Sequence, residues 1–262
     1  MTQNFDKLFR LDERVALVAG AGSGIGRSAA RGLAAAGAIT ICADIKAKAA
    51  ADTAAELGGS AEALTVDITD EKSVAAAMKS IHKKHGHLEV LVCTPAVNVR
   101  KPLLNYTGEE FEKVLRLNLK GSFLMAQAAG AMMHEAGRGS IILLSSIRSL
   151  VVEPGQGAYA TTKAGLVQLA HAFAVELGSA GVRVNCIAPG IVDTALTTPI
   201  KNNPDWYTAY ATKNALGRWA SSDEMAGPIV FLASDAASYV TGTVLFVDGG
   251  WTAIDGRYTP PV

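Results

Sequence analysis

The chain has 262 residues, with 24 basic and 24 acidic side chains and a formal net charge of zero. The chain therefore has no surplus of basic residues that would point to binding of nucleic acid or anionic membranes. No apolar run approaches the ~18–20 residues that cross a bilayer, and residues 1–14 lack the apolar core of a signal peptide, so we expect a cytoplasmic protein.

Strand-like and helix-like segments alternate along the chain. Apolar strand segments are predicted at 15–19, 39–43, 63–66, 88–93, 140–144, 182–187 and 244–247. Helical patterns fill 24–36, the alanine-rich stretch to residue 57, 71–85, 108–135, 157–177 and 223–233. Strands that are apolar throughout and separated by helices predict a Rossmann-like, doubly wound α/β fold with a seven-stranded parallel sheet and helices on both faces.

The domain organisation follows from the same pattern. No linker rich in Pro, Gly or Ser divides the chain, so we predict a single domain over residues 1–262. The segment of about 192–216 breaks the alternation and is interpreted as an insertion, of the kind that often serves as a substrate lid.

Cysteines and histidines give no sign of a metal or redox centre. Cys42, Cys93 and Cys186 fall in apolar strand-like runs, as reduced and buried cysteines do. Three histidines, at positions 82, 85 and 87, accompany lysines at a predicted helix end, where positive charge complements the helix dipole. We therefore predict no metal site.

A glycine-rich loop follows the first predicted strand and opens the first helix. Its residues Gly20, Ser23, Gly24, Ile25 and Gly26 suit the close approach of backbone N–H groups to a pyrophosphate. A flexible turn is the alternative, and the spacing departs from the strict G-x-G-x-x-G pattern. The position between a strand and a helix favours dinucleotide binding.

The second predicted strand ends in an acidic residue. Asp44 lies eighteen residues after Gly26, where a carboxylate can accept hydrogen bonds from an adenosine ribose and repel a 2′-phosphate. The next residue, Ile45, carries no positive charge for such a phosphate. We therefore predict NAD in preference to NADP as the cofactor. Asp44 could instead, or in addition, cap the following helix.

A tyrosine and a lysine are separated by one helical turn, at Tyr159 and Lys163. The two side chains would share one helix face, and a nearby cation moves the tyrosine pKa toward neutrality, as acid–base catalysis requires. This spacing alone is common in helices with no catalytic role. Ser146 lies thirteen residues before the tyrosine, and Ser145 is a rival for the same role, since alternation along a strand end points only one of them inward.

Together the glycine loop, Asp44, Ser146, Tyr159 and Lys163 closely resemble the short-chain dehydrogenase/reductase family, from about residue 11 to residue 251. Further matches to the family are an acid at a strand end with its neighbour, an asparagine within a helix, and a loop on the nicotinamide side. These are Asp67 and Ile68, Asn118, and Pro189, Gly190, Val192 and Thr194.

The resemblance implies an oxidoreductase that transfers hydride between nicotinamide and a small alcohol or ketone. Tyr159 would be the acid–base, Lys163 would lower the pKa of that tyrosine and bind the ribose, Ser146 would stabilise the substrate oxygen, and Asn118 would hold a water. A homotetramer is implied, with the helices of Asn118 and Tyr159 in one interface. A carbonyl reductase that uses NADPH, a hydride-dependent epimerase or dehydratase, and a non-catalytic module that senses NAD remain alternatives.

Two positions depart from the family pattern. Cys93-Thr94-Pro95-Ala96 replaces the usual Asn-Asn-Ala-Gly, and Ala19 replaces a common threonine before the glycine loop. We expect these segments to be neighbours in space, so that the two changes compensate each other.

The substrate is expected to be a small polar hydroxy compound, neutral or anionic, such as a polyol or a sugar acid. Arg100, Arg148, Gln156 and Trp206 fall in segments that line the substrate pocket in the family, and a guanidinium can clamp a carboxylate or a phosphate. A surface ion pair or a subunit contact is the alternative for each arginine.

Overall fold

The predicted alternation of strands and helices is confirmed by a computed structural model of the protein, which describes residues 5–255. The strands are β1 (Val15–Ala19), β2 (Ile39–Asp44), β3 (Glu62–Thr65), β4 (Val90–Cys93), β5 (Gly139–Leu144), β6 (Val182–Pro189) and β7 (Val244–Val247). Every neighbouring pair is parallel, and the order across the sheet is β3-β2-β1-β4-β5-β6-β7. The seven-stranded parallel sheet is therefore confirmed.

Helices cover both faces of this sheet. They are α1 (Gly24–Ala35), α2 (Ala47–Leu57), α3 (Glu71–His85), α4 (Gly108–Leu115), α5 (Ser122–Ala136), α6 (Gly157–Leu177), α7 (Thr198–Lys201), α8 (Pro204–Lys213) and α9 (Ala226–Ala233). Leu17 packs into a buried cluster beneath α3, α5 and α6, whereas its neighbour Val18 packs into a second cluster beneath α1 and α9. Because both of their faces are buried, the central strands β1 and β4 are apolar at successive residues.

The order of the strands creates a crevice beside β1. This strand pairs with β2 on one side and with β4 on the other, so the chain winds in opposite directions from this point. Loops at the carboxyl ends of β1 and β4 therefore diverge, and parallel sheets bind their ligands at such a point.

Two helix predictions differ from the structure. The helix predicted over 108–135 is divided into α4 and α5 by a π-helical turn, Arg116–Gly121, in which the carbonyl of Asn118 accepts a hydrogen bond from Ser122 Oγ at 2.8 Å. The helix predicted from residue 223 begins as a 3-10 turn, Ser222–Met225, and becomes α-helical only in α9. Pro228 lies in the first turn of α9, where its missing N–H removes no helical hydrogen bond.

The segment 192–216, predicted to be an insertion, contains the short helices α7 and α8. A third buried cluster anchors it, since Ile200 and Tyr210 pack with Ile147, Trp219 and Trp251. The predicted single domain, 1–262, extends beyond the described residues at both ends. Within residues 5–255, none of the helices has the length and apolar character needed to span a membrane.

Candidate active site

A cleft of about 590 Å³ opens at the carboxyl ends of the strands, where the winding of the chain reverses. The structure brings every predicted cofactor residue to the walls of this cleft. They are Gly20, Ser23, Gly24, Ile25, Gly26, Asp44, Ile45, Asp67, Ile68, Tyr159, Lys163, Pro189, Gly190, Val192 and Thr194. Ser146 lines the same cleft.

The glycine loop is a tight connection that excludes side chains at defined points. A Cβ atom at Gly26 would overlap the carbonyl oxygen of Gly20, so the start of α1 packs directly on the loop. Gly20 has a φ of +83°, in the left-handed region that favours glycine. The first turn of α1 begins in the cleft, and its N–H groups have no partner within the helix. This arrangement fits the binding of a pyrophosphate.

Asp44 holds the glycine loop from the end of β2. Its carboxylate accepts hydrogen bonds from Gly22 N at 3.1 Å and from Lys46 N at 2.9 Å. The N-cap of α2 is Lys46, so Asp44 does not cap that helix and the capping alternative is wrong. Ile45 is 62% exposed at the rim, and its side chain offers no charge to a 2′-phosphate.

The wall beyond β3 is formed by Asp67 and Ile68. Asp67 Oδ1 accepts hydrogen bonds from both the N–H and the hydroxyl of Thr69 at 2.8 Å, which fixes the turn after the strand. Ile68 packs against Gly121 of the π-helical turn, where an added Cβ atom would lie 2.8 Å from the isoleucine Cγ1. This wall of the cleft is therefore shaped by packed backbone and one isoleucine.

Tyr159 and Lys163 both lie on α6 and face the cleft. Lys163 is 1% exposed, and its Nζ donates to the carbonyl of Leu144 at 2.6 Å. The Nζ atom lies 5.4 Å from the centre of the Tyr159 ring, within the range of a cation–π contact. Tyr159 and Lys163 therefore share one face of α6, as predicted, and the Lys163 ammonium lies over the Tyr159 ring.

Burial acts on both groups. Loss of solvation raises the pKa of Tyr159 to about 12, although a hydrogen bond with Ser146 and the charge of Arg148 oppose this change. Burial lowers the pKa of Lys163 to about 8. Desolvation of the Tyr159 phenol therefore exceeds the opposing effects of Ser146 and Arg148 on its pKa, and the lowering of this pKa by Lys163 stays a prediction.

The two neighbouring serines have different surroundings. Ser145 Oγ donates to the carbonyl of Lys163 at 2.8 Å and holds α6 against β5. Ser146 Oγ accepts from Arg148 N at 3.1 Å and lies close enough to Tyr159 to lower the pKa of its phenol. Ser145 thus has a structural partner, which favours Ser146 as the residue that meets a substrate.

Asn118 is fully buried and does not line the cleft. Its side chain accepts from Val97 N at 2.8 Å and donates to Val97 O at 2.9 Å and to Thr162 Oγ1 at 3.2 Å. Both amide hydrogens are therefore used. The side chain connects the segment after β4 to α6 one residue before Lys163.

The wall facing the glycine loop is formed by the last residue of β6 and the segment after it, with Pro189, Gly190, Val192 and Thr194. A Cβ atom at Gly190 would lie 2.7 Å from Asp248 Cα, so this position allows the end of β6 to approach the segment after β7. Val192 forms an isolated bridge with Ala220, and Thr194 lies across the cleft beside Gly24.

The predicted substrate residues are placed differently from expectation. Arg100, Arg148, Gln156 and Trp206 are absent from the walls of the cleft. Instead, Glu153 accepts from Arg100 Nη1 at 2.8 Å, from Arg148 Nη2 at 2.8 Å, and also from Gln156 and Tyr210. Both arginines therefore form ion pairs with Glu153, with the Arg148 side chain 5% exposed and the Arg100 side chain 29% exposed, and contact of either arginine with a substrate stays a prediction.

Charge and aromatic contacts support this network. Burial raises the pKa of Glu153, but the hydrogen bond from Tyr210 and the charge of Arg148 outweigh it and hold the pKa below its ordinary value. Arg100 lies 4.7 Å from the centre of the Trp206 ring, and Arg148 lies 5.5 Å from that of Trp251. Each guanidinium is thus engaged by a carboxylate and an indole.

Two features of the site were not predicted from the sequence: three residues in the wall of the cleft, and the role of Glu153 at the centre of the ion-pair network. Thr94, Pro95 and Ala96 line the cleft, although their departure from the family pattern had left their contribution undefined. Glu153 could be recognised only as one of several polar residues in a variable loop, since nothing in its spacing reveals four partners. Within residues 5–255, no group of three or more His, Cys, Asp or Glu side chains could hold a metal ion.

Comparisons with known proteins agree with this arrangement. A sequence profile of the family described as enoyl-(acyl carrier protein) reductase matches residues 20–252. D-threitol dehydrogenase of Mycolicibacterium smegmatis is 38% identical over 257 residues, which cover 96% of this chain and 97% of that protein. Cis-4-hydroxycyclohexanecarboxylate dehydrogenase of Sinomonas cyclohexanicum is 40% identical over 246 residues, with coverage of 92% and 98%.

A solved structure shows the same fold. Gluconate 5-dehydrogenase from Burkholderia cenocepacia, in complex with NADP and tartrate, has a TM-score of 0.92 and 33% sequence identity, covering 95% of this chain and 98% of that chain. The likeness to these proteins therefore extends over nearly the whole length of each.

Proposed function

The chain belongs to the short-chain dehydrogenase/reductase family, and from this premise we propose that Ser146, Tyr159 and Lys163 catalyse hydride transfer between NAD and a small polar alcohol or ketone. Relatives named as dehydrogenases of threitol and of a hydroxycyclohexanecarboxylate support an oxidoreductase acting on small alcohols. The observation that carries the proposal is that these three side chains line one cleft with the glycine loop and Asp44.

Tyr159 is the group that exchanges a proton with the substrate oxygen. With a pKa of about 12 the phenol keeps its proton at neutral pH and can donate it to a carbonyl during reduction. Ser146 donates a hydrogen bond to the same substrate oxygen and stabilises the charge that develops there. The bound nicotinamide supplies or accepts the hydride at its own carbon.

Lys163 has an indirect part in this chemistry. With a pKa of about 8 it carries a charge at neutral pH, and this charge favours the phenolate that Tyr159 becomes when it releases its proton. Asn118 is a positioning residue, because its amide fixes Thr162 and the segment after β4 while its atoms remain outside the cleft.

The preference for NAD rests on the rim of the cleft. Asp44 presents a carboxylate where an adenosine ribose binds in a fold of this kind, and the exposed side chain of Ile45 provides no cation. A 2′-phosphate would meet a negative charge there. The gluconate 5-dehydrogenase structure contains NADP, so a direct comparison of the two cofactors is decisive.

The substrate class follows from the relatives and from the network around Glu153. The two relatives described above are named for D-threitol, a polyol, and for cis-4-hydroxycyclohexanecarboxylate, a hydroxy acid, and both compounds carry polar groups besides the reacting hydroxyl. Two arginines and one glutamate leave a net positive charge beside the cleft, which favours a polar or anionic hydroxy compound over an apolar alcohol.

The activity can be tested by following NADH at 340 nm with a panel of polyols, sugars, sugar acids and hydroxy acids. We expect turnover with NAD, loss of turnover in Tyr159→Phe, and NADH binding retained in that variant. Tyr239→Phe, a change at a fully exposed tyrosine, is the matched control. A protein that binds NADH but turns over no member of the panel would support the sensor alternative. Higher kcat/KM with NADP would support the NADPH-type reductase.

A further inference from the structure

Thr94 is the first residue after β4 and joins the end of that strand to the end of β1. Its backbone N donates to the carbonyl of Ala19 at 3.1 Å, and its hydroxyl donates to the same carbonyl at 2.8 Å. Ala19 is the last residue of β1 and directly precedes the glycine loop. One side chain therefore holds the point at which that loop leaves the sheet.

The same hydroxyl touches the loop at two further points. A Cβ atom at Gly20 would overlap Thr94 Oγ1, and one at Gly26 would lie 2.8 Å from it. The oxygen of Thr94 thus lies between the first glycine of the loop and the glycine at the start of α1. Pro95 packs on Gly20 from the same side and favours the extended backbone at Thr94.

The other side of the loop is held by β2. Gly20 N and Ala21 N both donate to the carbonyl of Ala43, at 2.8 and 3.0 Å. Ala19 has no hydroxyl with which to bond to this segment. Thr94 supplies the only side-chain hydrogen bond that the described structure gives to the Ala19 carbonyl. The two departures from the family pattern are therefore in direct contact, as the sequence predicted.

We propose that Thr94 is a positioning residue for cofactor binding, and that its hydroxyl keeps the glycine loop in the conformation that receives the pyrophosphate. This inference rests on the proposed function, since it assumes that the cleft binds a nicotinamide dinucleotide. Loss of the hydroxyl removes the side-chain bond to the Ala19 carbonyl and leaves the bond from Thr94 N at that point, so more of the ordering of the loop must occur when the cofactor binds.

The test compares Thr94→Val and Thr94→Ala, which lack the hydroxyl, with Thr94→Ser, which retains it. The matched control is Thr40→Val, because Thr40 is fully buried at the amino end of β2 and its hydroxyl also donates to a carbonyl, that of Ala38 at 3.3 Å. The measurements are the Kd of NADH by fluorescence titration, KM for NAD and kcat, hydrogen exchange over residues 20–26, and Tm.

We expect the Kd of NADH and KM for NAD to rise about fivefold to tenfold in Thr94→Val and Thr94→Ala, the size of one lost hydrogen bond. At saturating NAD, kcat should change less than about twofold, because the lost interaction acts on binding. Amides of residues 20–26 should exchange faster. Thr94→Ser and Thr40→Val should bind NADH as the wild type does, even where Tm falls.

Two results would overturn the inference. One is unchanged NADH binding in both hydroxyl-free variants. The other is weaker binding in Thr40→Val to the same extent, because a general loss of stability would then explain the effect. If the wild-type protein binds neither NADH nor NADPH, the proposed function itself fails, and the inference fails with it.

Discussion

At the scale of single residues, the most unusual group is the buried ammonium of Lys163. It is 1% exposed, and its folded pKa of about 8 lies below its ordinary value of 10.5. At pH values between these two pKa values, Lys163 is protonated in the unfolded chain but has released its proton in the folded protein. Stability therefore rises with pH through this window, and below it the folded protein carries the full cost of burying the charge.

We predict that Lys163→Met abolishes turnover and changes the pH dependence of unfolding. From pH 7 to pH 9, the free energy of unfolding of the wild type should gain about 1 kcal/mol relative to the variant, since only the wild type releases this proton. Urea titrations at the two pH values measure the difference. Lys79→Met, on the exposed side of α3, should leave it unchanged, and equal slopes for wild type and Lys163→Met would contradict the lowered lysine pKa.

The carboxylate of Asp44 gives a second prediction at this scale. Asp44→Ala should lower the ratio of kcat/KM for NAD to that for NADP by about tenfold or more, because the charge that repels a 2′-phosphate is removed. The bonds to Gly22 N and Lys46 N are lost too, so binding of NAD should also weaken. Asp52→Ala on α2, an exposed carboxylate, is the control. An unchanged ratio would show that Asp44 does not determine the preference between NAD and NADP.

At the scale of elements, the network around Glu153 joins three separate segments. Arg100 belongs to the connection after β4, Arg148 and Glu153 to the loop after Ser146, and Tyr210 to α8. The loop that carries Ser146 is thereby tied to the segment predicted to be a lid. A carboxylate at this point is required because two guanidinium groups share it.

Glu153→Gln should destabilise the protein by about 2 kcal/mol, since the buried Arg148 would lose its counter-charge. The folded pKa of Glu153 is lowered, so the contribution of the carboxylate is present above the ordinary glutamate range and is lost as pH falls through the folded value. The urea midpoints of wild type and variant should therefore converge on acidification. Glu56→Gln, which breaks an exposed pair with Arg31, should cost less than about 1 kcal/mol.

Individual elements show what the sequence can and cannot predict. Strands β1 and β4 were recognisable because burial on both faces makes them apolar throughout, and the glycine loop because its backbone contacts tolerate no side chain. The π-helical turn Arg116–Gly121 was not recognisable, since its residues suit a helix and the partner of Asn118, Val97, meets it only in the folded chain. The partners of Arg100 and Arg148 were equally hidden, because Glu153 meets them only in the folded chain.

At the scale of the whole molecule, a groove of about 1190 Å³ is lined by residues of α4, α5 and α6 and extends to the loops after β2, β3 and β4. Leu115, Leu119, Phe123 and Leu169 supply its apolar surface. Charges of both signs surround them, including Glu109, Glu112, Lys113, Arg116 and Lys120. A surface with an apolar centre and mixed charges at its rim can pair with a copy of itself across a two-fold axis.

We predict that this groove is one interface of the homotetramer that the family resemblance implies. Leu169→Glu would place a carboxylate in the apolar centre of the interface, where it would have to be buried without a partner, so the variant should form a smaller species. Size-exclusion chromatography with light scattering measures the mass of each protein. Ala75→Glu, an exposed change on α3 outside the groove, should assemble as the wild type does. A wild-type monomer would contradict the assembly, whereas an intact Leu169→Glu tetramer would place the interface elsewhere on the surface.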